Sequence, residues 1–254
     1  MTDLSPFYRR LPLLLLLNLA GCALAPPDSP PRLLPPGAAP PAFAVPSIRE
    51  RMIYLARQEW TLFGQPEVGY HSTPPDLVYP PATAATHETQ PPFFSRVMLY
   101  WYAVSPLPLL GYDGEIRPWS AAFIVWLARS AGVPQHDLPS SVLHWDYIAH
   151  ALQADENARF IARDARSHAP RPGDLLCAPR GEGFVDEVNS FERLRRGAYH
   201  CDLVVERKSG ALAVIGGNVL DVVALSHVEL DEAGHVLPTA ERRWVVVLEQ
   251  RDVD

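Results

Sequence analysis

The distribution of proline sets the first limit on this fold. Of the 27 prolines in 254 residues, nine lie between Pro26 and Pro46 and seven more between residues 64 and 92. Proline fixes φ and has no amide hydrogen to donate, so the first stretch is expected to be extended and the second irregular. The packed core must come from the remainder. The overall hydrophobic content of 48% suffices for a core of good size and excludes global disorder. Lys and Arg number 22 against 29 Asp and Glu, a net charge of -7, which excludes a basic nucleic-acid-binding surface. Three cysteines without a Cys-x-x-Cys pair exclude a disulfide scaffold and a structural zinc site.

Residues 1–21 have the layout of a secretory signal peptide: Arg9-Arg10, an apolar run from Leu11 to Leu17, then Leu19-Ala20-Gly21-Cys22. The run is shorter than the ~20 apolar residues of a spanning helix. Leu-Ala-Gly-Cys resembles a bacterial lipoprotein signal. That resemblance implies that Cys22 becomes the lipidated first residue of the mature chain, and Ala23 after it implies the outer membrane, facing the periplasm. Residues 22–46 then form a stiff, extended tether. The chain is acidic, so the acyl chains rather than attraction to anionic lipid would anchor it.

Ser47 and Glu50 have capping-box spacing, and Ile48, Met52, Leu55, Ala56 and Trp60 recur at helical intervals, which predicts a helix over 47–63. Residues 64–92 read as a long irregular loop, and Phe94, Val97, Met98 and Trp101 mark a second helix over 93–104. These make residues 47–104 a helical extension. A third, nearly all-apolar helix is expected from Trp119 or Ser120 to Ala131, stopped by Gly132 and Pro134, with further helices at 141–153 and 156–165. Past Pro172 the pattern changes to Val- and Leu-rich strands at 174–178, 199–206, 211–215, 219–227 and 243–250. Helices followed by antiparallel strands predict an α+β domain over 105–254.

Ser120 stands at the amino end of the third helix, where free amides and the helix dipole favour a developing negative charge. The same place suits a helix cap. Downstream come Arg171-Pro-Gly-Asp-Leu-Leu-Cys177, then His200 opening the strand Tyr199–Val205, then Ile215-Gly-Gly-Asn218. A hydroxyl on a helix, an imidazole on one strand and an amide on the next are the parts of a nucleophile, base and orienter.

Trp119-Ser-Ala-Ala-Phe-Ile-Val-Trp126, Pro172-Gly-Asp174, His200 with Leu203-Val-Val205, and Gly217-Asn218 together resemble CHAP amidase domains and their NlpC-type relatives in the papain-like superfamily. Pro-Trp-Ser-Ala-Ala-Phe, His-Cys-Asp and Ile-Gly-Gly-Asn more closely resemble an uncharacterised bacterial family allied to it. The resemblance implies a papain-like fold with N-terminal helices packed on an antiparallel sheet. It places Ser120 at the nucleophile position, which is cysteine in the larger family, His200 at the base and Asn218 at the orienter. Tyr112, Asp113, Trp119 and Gly217 become the expected substrate contacts.

Asp202 shares the His200 side of its strand and is a second candidate orienter or cleft residue. Cys201 points the other way. Cys177 and Cys201 lie on strands that can be neighbours, where two buried free thiols are expected over a disulfide. Asp146 and His150, with His144 nearby, have helical spacing for shared ligation but lack a third ligand, so exposed helix polarity is expected and no metal. The charged interval 179–198 reads as a substrate-selecting flap or a solvated insertion. The expected activity is amide or ester hydrolysis on peptidoglycan peptides without metal or organic cofactor. The rival expectation is an inactive module on the same fold that binds peptidoglycan or an envelope partner.

Overall fold

The computed structural model describes residues 45–69, 74–239 and 242–252. The signal at 1–21, Cys22 and all but the end of the tether lie outside the described residues. Helix α1 (Ile48–Leu62) begins as its spacing predicts. The Glu50 N–H donates to Ser47 Oγ at 3.2 Å, and the Ser47 N–H donates to the Glu50 carboxylate at 2.7 Å. Such a cap contributes about 1 kcal/mol.

Where an irregular loop is expected, residues 64–92 supply two three-residue strands, β1 (Glu67–Gly69) and β2 (Asp76–Val78), before helix α2 (Pro91–Tyr102). They pair with each other, and β1 adds to the sheet edge, so the prolines frame the strands rather than interrupt them. Buried Glu59 of α1 binds Arg96 and the Tyr100 hydroxyl of α2, which locks the two helices together.

Helix α3 (Ser120–Ala131) is buried on almost every face. It ends at Gly132, whose φ of +93° is the left-handed cap that glycine adopts without strain. Helix α4 (His144–Leu152) follows. The helix expected at 156–165 is instead strand β3 (Phe160–Asp164), paired over its whole length with the last strand. Five residues give too little helix to stand without packing, whereas five ladder pairs protect a sheet edge.

Strands β4 (Leu175–Pro179), β5 (Tyr199–Lys208), β6 (Ala211–Val219), β7 (Val222–Glu229) and β8 (Val246–Gln250) complete the fold, with a one-turn helix α5 (Phe184–Glu187) between β4 and β5. The eight strands run in the order β2-β1-β7-β6-β5-β4-β8-β3, antiparallel except where β1 meets β7. The result is a mixed α+β molecule. One apolar cluster joins the helices to one side of the sheet, and Leu176, Val204, Val214, Trp244 and Val247 belong to a second cluster.

Two local features position the site. Cys177 and Cys201 sit directly opposite each other in the β4–β5 ladder, with Cα atoms 4.1 Å apart, and form a disulfide rather than the expected free thiols. The pairing register puts both side chains on one side of the sheet, and adjacent strands supply the required approach. At the end of β6 the expected strand 219–227 is interrupted. Leu220 and Asp221 adopt φ of +49° and +65° in a two-residue turn closed by the Val219–Val222 pair, and Asn218 before it is at +57°. Three non-glycine residues in the left-handed region within four positions is a concentration of backbone strain.

Candidate active site

The helix dipole of α3 points its positive end at Ser120, the first helical residue; Trp119 is the cap and makes no side-chain cap bond. Ser120 does not use its hydroxyl to cap the helix. Its Oγ lies 2.7 Å from Nε2 of His144, and Nδ1 of that imidazole meets the Tyr147 hydroxyl. His144 therefore faces the serine, a partner that spacing alone assigned to exposed helix polarity.

The local reason is visible in α4. His144, Tyr147, Ile148 and Ala151 are its buried residues, an i, i+3, i+4, i+7 stripe. An imidazole inside an apolar stripe needs a hydrogen-bond partner, and that pattern is the signal through which the sequence reveals His144. Burial, reinforced by the neighbouring His200 ring and by Arg180, pushes the His144 pKa well below the usual histidine range, while Asp202 opposes this. His144 is neutral at pH 7. In one of its two hydrogen-bond arrangements Ser120 donates to a bare Nε2 and Nδ1–H donates to Tyr147.

The second histidine is built from the sheet. His200 Nε2 lies 2.6 Å from Asp202 Oδ1, two residues along β5, and the other carboxylate oxygen accepts from Arg242 at 2.6 Å. Burial works to raise the Asp202 pKa, but His200 and Arg242 outweigh it and hold it below the ordinary carboxylate range. Asp202 is ionised and accepts only, so Nε2 of His200 carries the ring proton and Nδ1 is the bare nitrogen. Burial also lowers the His200 pKa, against the pull of Asp202. The two imidazoles stand side by side, centroids 5.6 Å apart. Ser120, His144, His200, Asp202 and Arg242 thus form one continuous row.

Asn218, expected to orient His200, is engaged elsewhere. Its Oδ1 accepts the Trp119 N–H at a long 3.4 Å, and its Nδ2 donates to Glu88 Oε2 at 3.3 Å. Asp202 holds the imidazole in its place. Glu88 also accepts from the Trp119 indole, and its N–H donates to the Asp221 carbonyl at 3.1 Å. Burial raises the Glu88 pKa, with the indole hydrogen bond opposing. This residue of the proline-rich interval fastens the start of α3 to the strained β6–β7 tip. Neither Glu88 nor Arg242 has a sequence pattern that announces it.

Gly216 and Gly217 let β6 approach both sides. A Cβ on Gly216 would lie 1.8 Å from Asp202 Oδ1, and one on Gly217 would lie 2.6 Å from Phe123 Cβ of α3. Trp119 is fully buried in the core, and Tyr112 and Asp113 occupy an exposed turn. Asp174 acts at a distance from this row. Its carboxylate accepts the Arg171 N–H at 2.8 Å and the Gln250 N–H at 2.9 Å, so Pro172-Gly-Asp174 ties the start of β4 to the end of β8. Asp146 accepts from Ser141 at 2.5 Å. Among the described residues no group of three or more His, Cys, Asp or Glu side chains is placed to hold a metal.

A cavity of about 320 Å³ opens beside the row, lined by His200, Asn218, Arg242, Arg180, Val185 and Leu220 among others. Ser120, 3% exposed, is not among its lining residues, whereas His200, 6% exposed, is.

Residues 90–250, more than half of the chain, match a family described as an uncharacterized protein conserved in bacteria (DUF2272). The chain belongs to that family. The matched span holds the whole row from Ser120 to Arg242, and Glu88 lies just before it. No curated protein and no solved structure shows significant similarity to the chain.

Proposed function

We propose that this member of the family is a hydrolase of amide or ester bonds in peptides of the bacterial cell envelope, a serine variant of the CHAP/NlpC papain-like arrangement. The observation that carries this is the 2.7 Å contact between Ser120 Oγ, at the amino end of a buried helix, and Nε2 of a neutral His144. The proposal assigns the general-base role to His144, with His200 behind it. As Oγ attacks the carbonyl carbon, its proton passes to His144 Nε2, and the α3 amides face the oxygen that gains charge. His144 then returns the proton to the departing amine or alcohol. Water cleaves the acyl-serine by the same route in reverse. The imidazolium that forms in between lies near the Asp202 carboxylate, which favours it. None of these steps uses a metal or organic cofactor. Because Ser120 lies outside the cavity lining, substrate access requires the groups over it to move.

A lipid anchor on Cys22, with the catalytic domain on the periplasmic side of the outer membrane, completes the proposal. It rests on the Leu-Ala-Gly-Cys motif and predicts that Cys22→Ser abolishes acylation and membrane retention.

The burial of Ser120 favours a second reading, a peptide-binding lipoprotein whose row is structural. Incubation of the full chain with a fluorophosphonate probe and with purified peptidoglycan separates the two. Hydrolysis predicts labelling and product release, lost about 10³-fold or more in Ser120→Ala and in His144→Gln. Cell-wall retention without labelling or products selects the binding reading. Abolition by His200→Gln with His144→Gln still active would return the base to His200.

A further inference from the structure

The cavity carries a cation that the row does not use. Arg180 follows the last residue of β4, and its N–H donates to the Ala198 carbonyl at 2.9 Å, which fixes its backbone at the cavity wall. Its guanidinium has no hydrogen-bond or ion-pair partner among the described residues. The neighbouring acids are engaged elsewhere: Asp186 with Arg243, Glu187 with Arg195, and Glu192 with Arg166. Glu182, two residues on, is exposed and unpaired with it. The other lining arginine differs. Arg242 is committed to Asp202 at 2.6 Å and lies over the Trp244 ring.

With Asp202 neutralised by Arg242 and both histidines uncharged, Arg180 leaves the cavity with one uncompensated positive charge. Its proximity is felt by both imidazoles, whose protonation it disfavours. A planar guanidinium suits a carboxylate, which it engages through two parallel hydrogen bonds. Asn218, Val219 and Leu220 also line the cavity, and Glu88 holds this strained β6–β7 tip in place. Beside the charged groups stand Val185, Val219 and Leu220, which suit small aliphatic side chains and exclude a highly charged ligand.

We propose that this cavity is a recognition site for a carboxylate-bearing peptide, with Arg180 as the residue that receives the carboxylate. The assignment rests on the cavity being the ligand site, as in both readings above, and it is tested by binding alone. Failure of hydrolysis therefore leaves it intact, and failure of binding leaves the Ser120–His144 proposal to its own labelling test.

The probe is N-acetyl-alanyl-alanine, compared with the same dipeptide as its C-terminal amide, titrated calorimetrically into the full chain. The acid is expected to bind saturably and the amide at least about tenfold more weakly, because a charged hydrogen-bond pair is lost. Arg180→Gln is expected to weaken the acid by about the same factor and leave the amide unchanged, and Arg180→Lys to retain part of the preference. Arg180 is exposed and unpaired, so both variants should unfold at the wild-type temperature, which reports that the cavity is intact. Equal binding of acid and amide, unchanged binding of the acid to Arg180→Gln, or no binding of the acid to the wild type would overturn the proposal.

Discussion

His144 and His200 are neighbours, yet they are kept neutral by opposite strategies. His144, on the helix side, is surrounded by uncharged partners: the Ser120 hydroxyl at one nitrogen and the Tyr147 hydroxyl at the other. His200, on the sheet side, ends a chain of charges through Asp202 to Arg242. A buried charge is tolerated only when it is paired and hydrogen-bonded. The helix side meets that condition by carrying no charge, and the sheet side by pairing Asp202 twice. The difference teaches a division of labour. A neutral hydroxyl–imidazole–hydroxyl row is suited to moving a proton. The fixed anion one ring away is suited to supporting the cation created when the proton moves.

The largest test removes the anion. Asp202→Ala leaves His200 without its acceptor and Arg242 without its counter-ion in a buried setting, and a loss of about 3–5 kcal/mol in urea denaturation is expected. A loss below about 1 kcal/mol would show that the sheet side does not depend on its charges. The disulfide gives the next effect. Cys201 stands between His200 and Asp202 and is joined to Cys177 across a separation of 24 residues. Replacing both cysteines by serine is expected to cost about 3 kcal/mol. The same variant should shift the NMR resonances of the His200 ring and leave those of His144 in place. Equal shifts in both rings would mean that the two sides are mechanically one unit.

The sequence exposes the helix side of the fold and conceals much of the site. Capping at Ser47, the all-apolar α3 and its stop at Gly132 are local signals, and each emerges where spacing puts it. The strands β4 and β5 and the alternation that sets His200 and Asp202 apart from Cys201 are legible for the same reason. What fails is what depends on distant partners. The stretch 156–165 is a strand because β8 lies beside it. Arg242 reaches the row, and Glu88 the start of α3, from loops whose course no periodicity encodes. His144 is intermediate, since its stripe marks it as buried but not as the partner of Ser120. Asn218 shows the limit of positional analogy: it occupies the expected stretch of β6, but its left-handed backbone and its bonds to Trp119 and Glu88 tie it to α3 rather than to the imidazole.

Acid should separate the two histidines. Both are lowered from an ordinary value near 6.5, so below that pH the unfolded chain binds more protons than the folded one. Stability must then fall as pH falls, by up to about 1.4 kcal/mol per pH unit for each histidine. Asp174 runs in the opposite direction. Burial raises its pKa to about 6, so the folded state takes up a proton first and gains stability between about pH 6 and 4. Urea midpoints should therefore decline from pH 7 to 6 and decline further to pH 5, because two histidines outweigh the single carboxyl. In NMR titration His200 should protonate first as pH falls, because its pKa is less depressed than that of His144. The reverse order would place the better-shielded imidazole on the sheet side.

The smallest effect concerns the hydroxyl behind His144. Tyr147→Phe keeps the ring packed in the α4 stripe and removes only the group that meets Nδ1. About 1 kcal/mol of stability should be lost, because one buried nitrogen is left without a partner. Under the proposed hydrolase function, the consequence for proton transfer is of a different kind. With Tyr147 present, a proton on Nδ1 has an acceptor, and Nε2 is free to receive the Ser120 proton. Without it, the tautomer carrying its proton on Nε2 becomes competitive, and that tautomer cannot act as base. Fluorophosphonate labelling should slow by about tenfold, against complete loss in Ser120→Ala. Labelling at the wild-type rate with the stability loss intact would assign Tyr147 to packing alone, and the orientation of His144 to Ser120 and the register of α4.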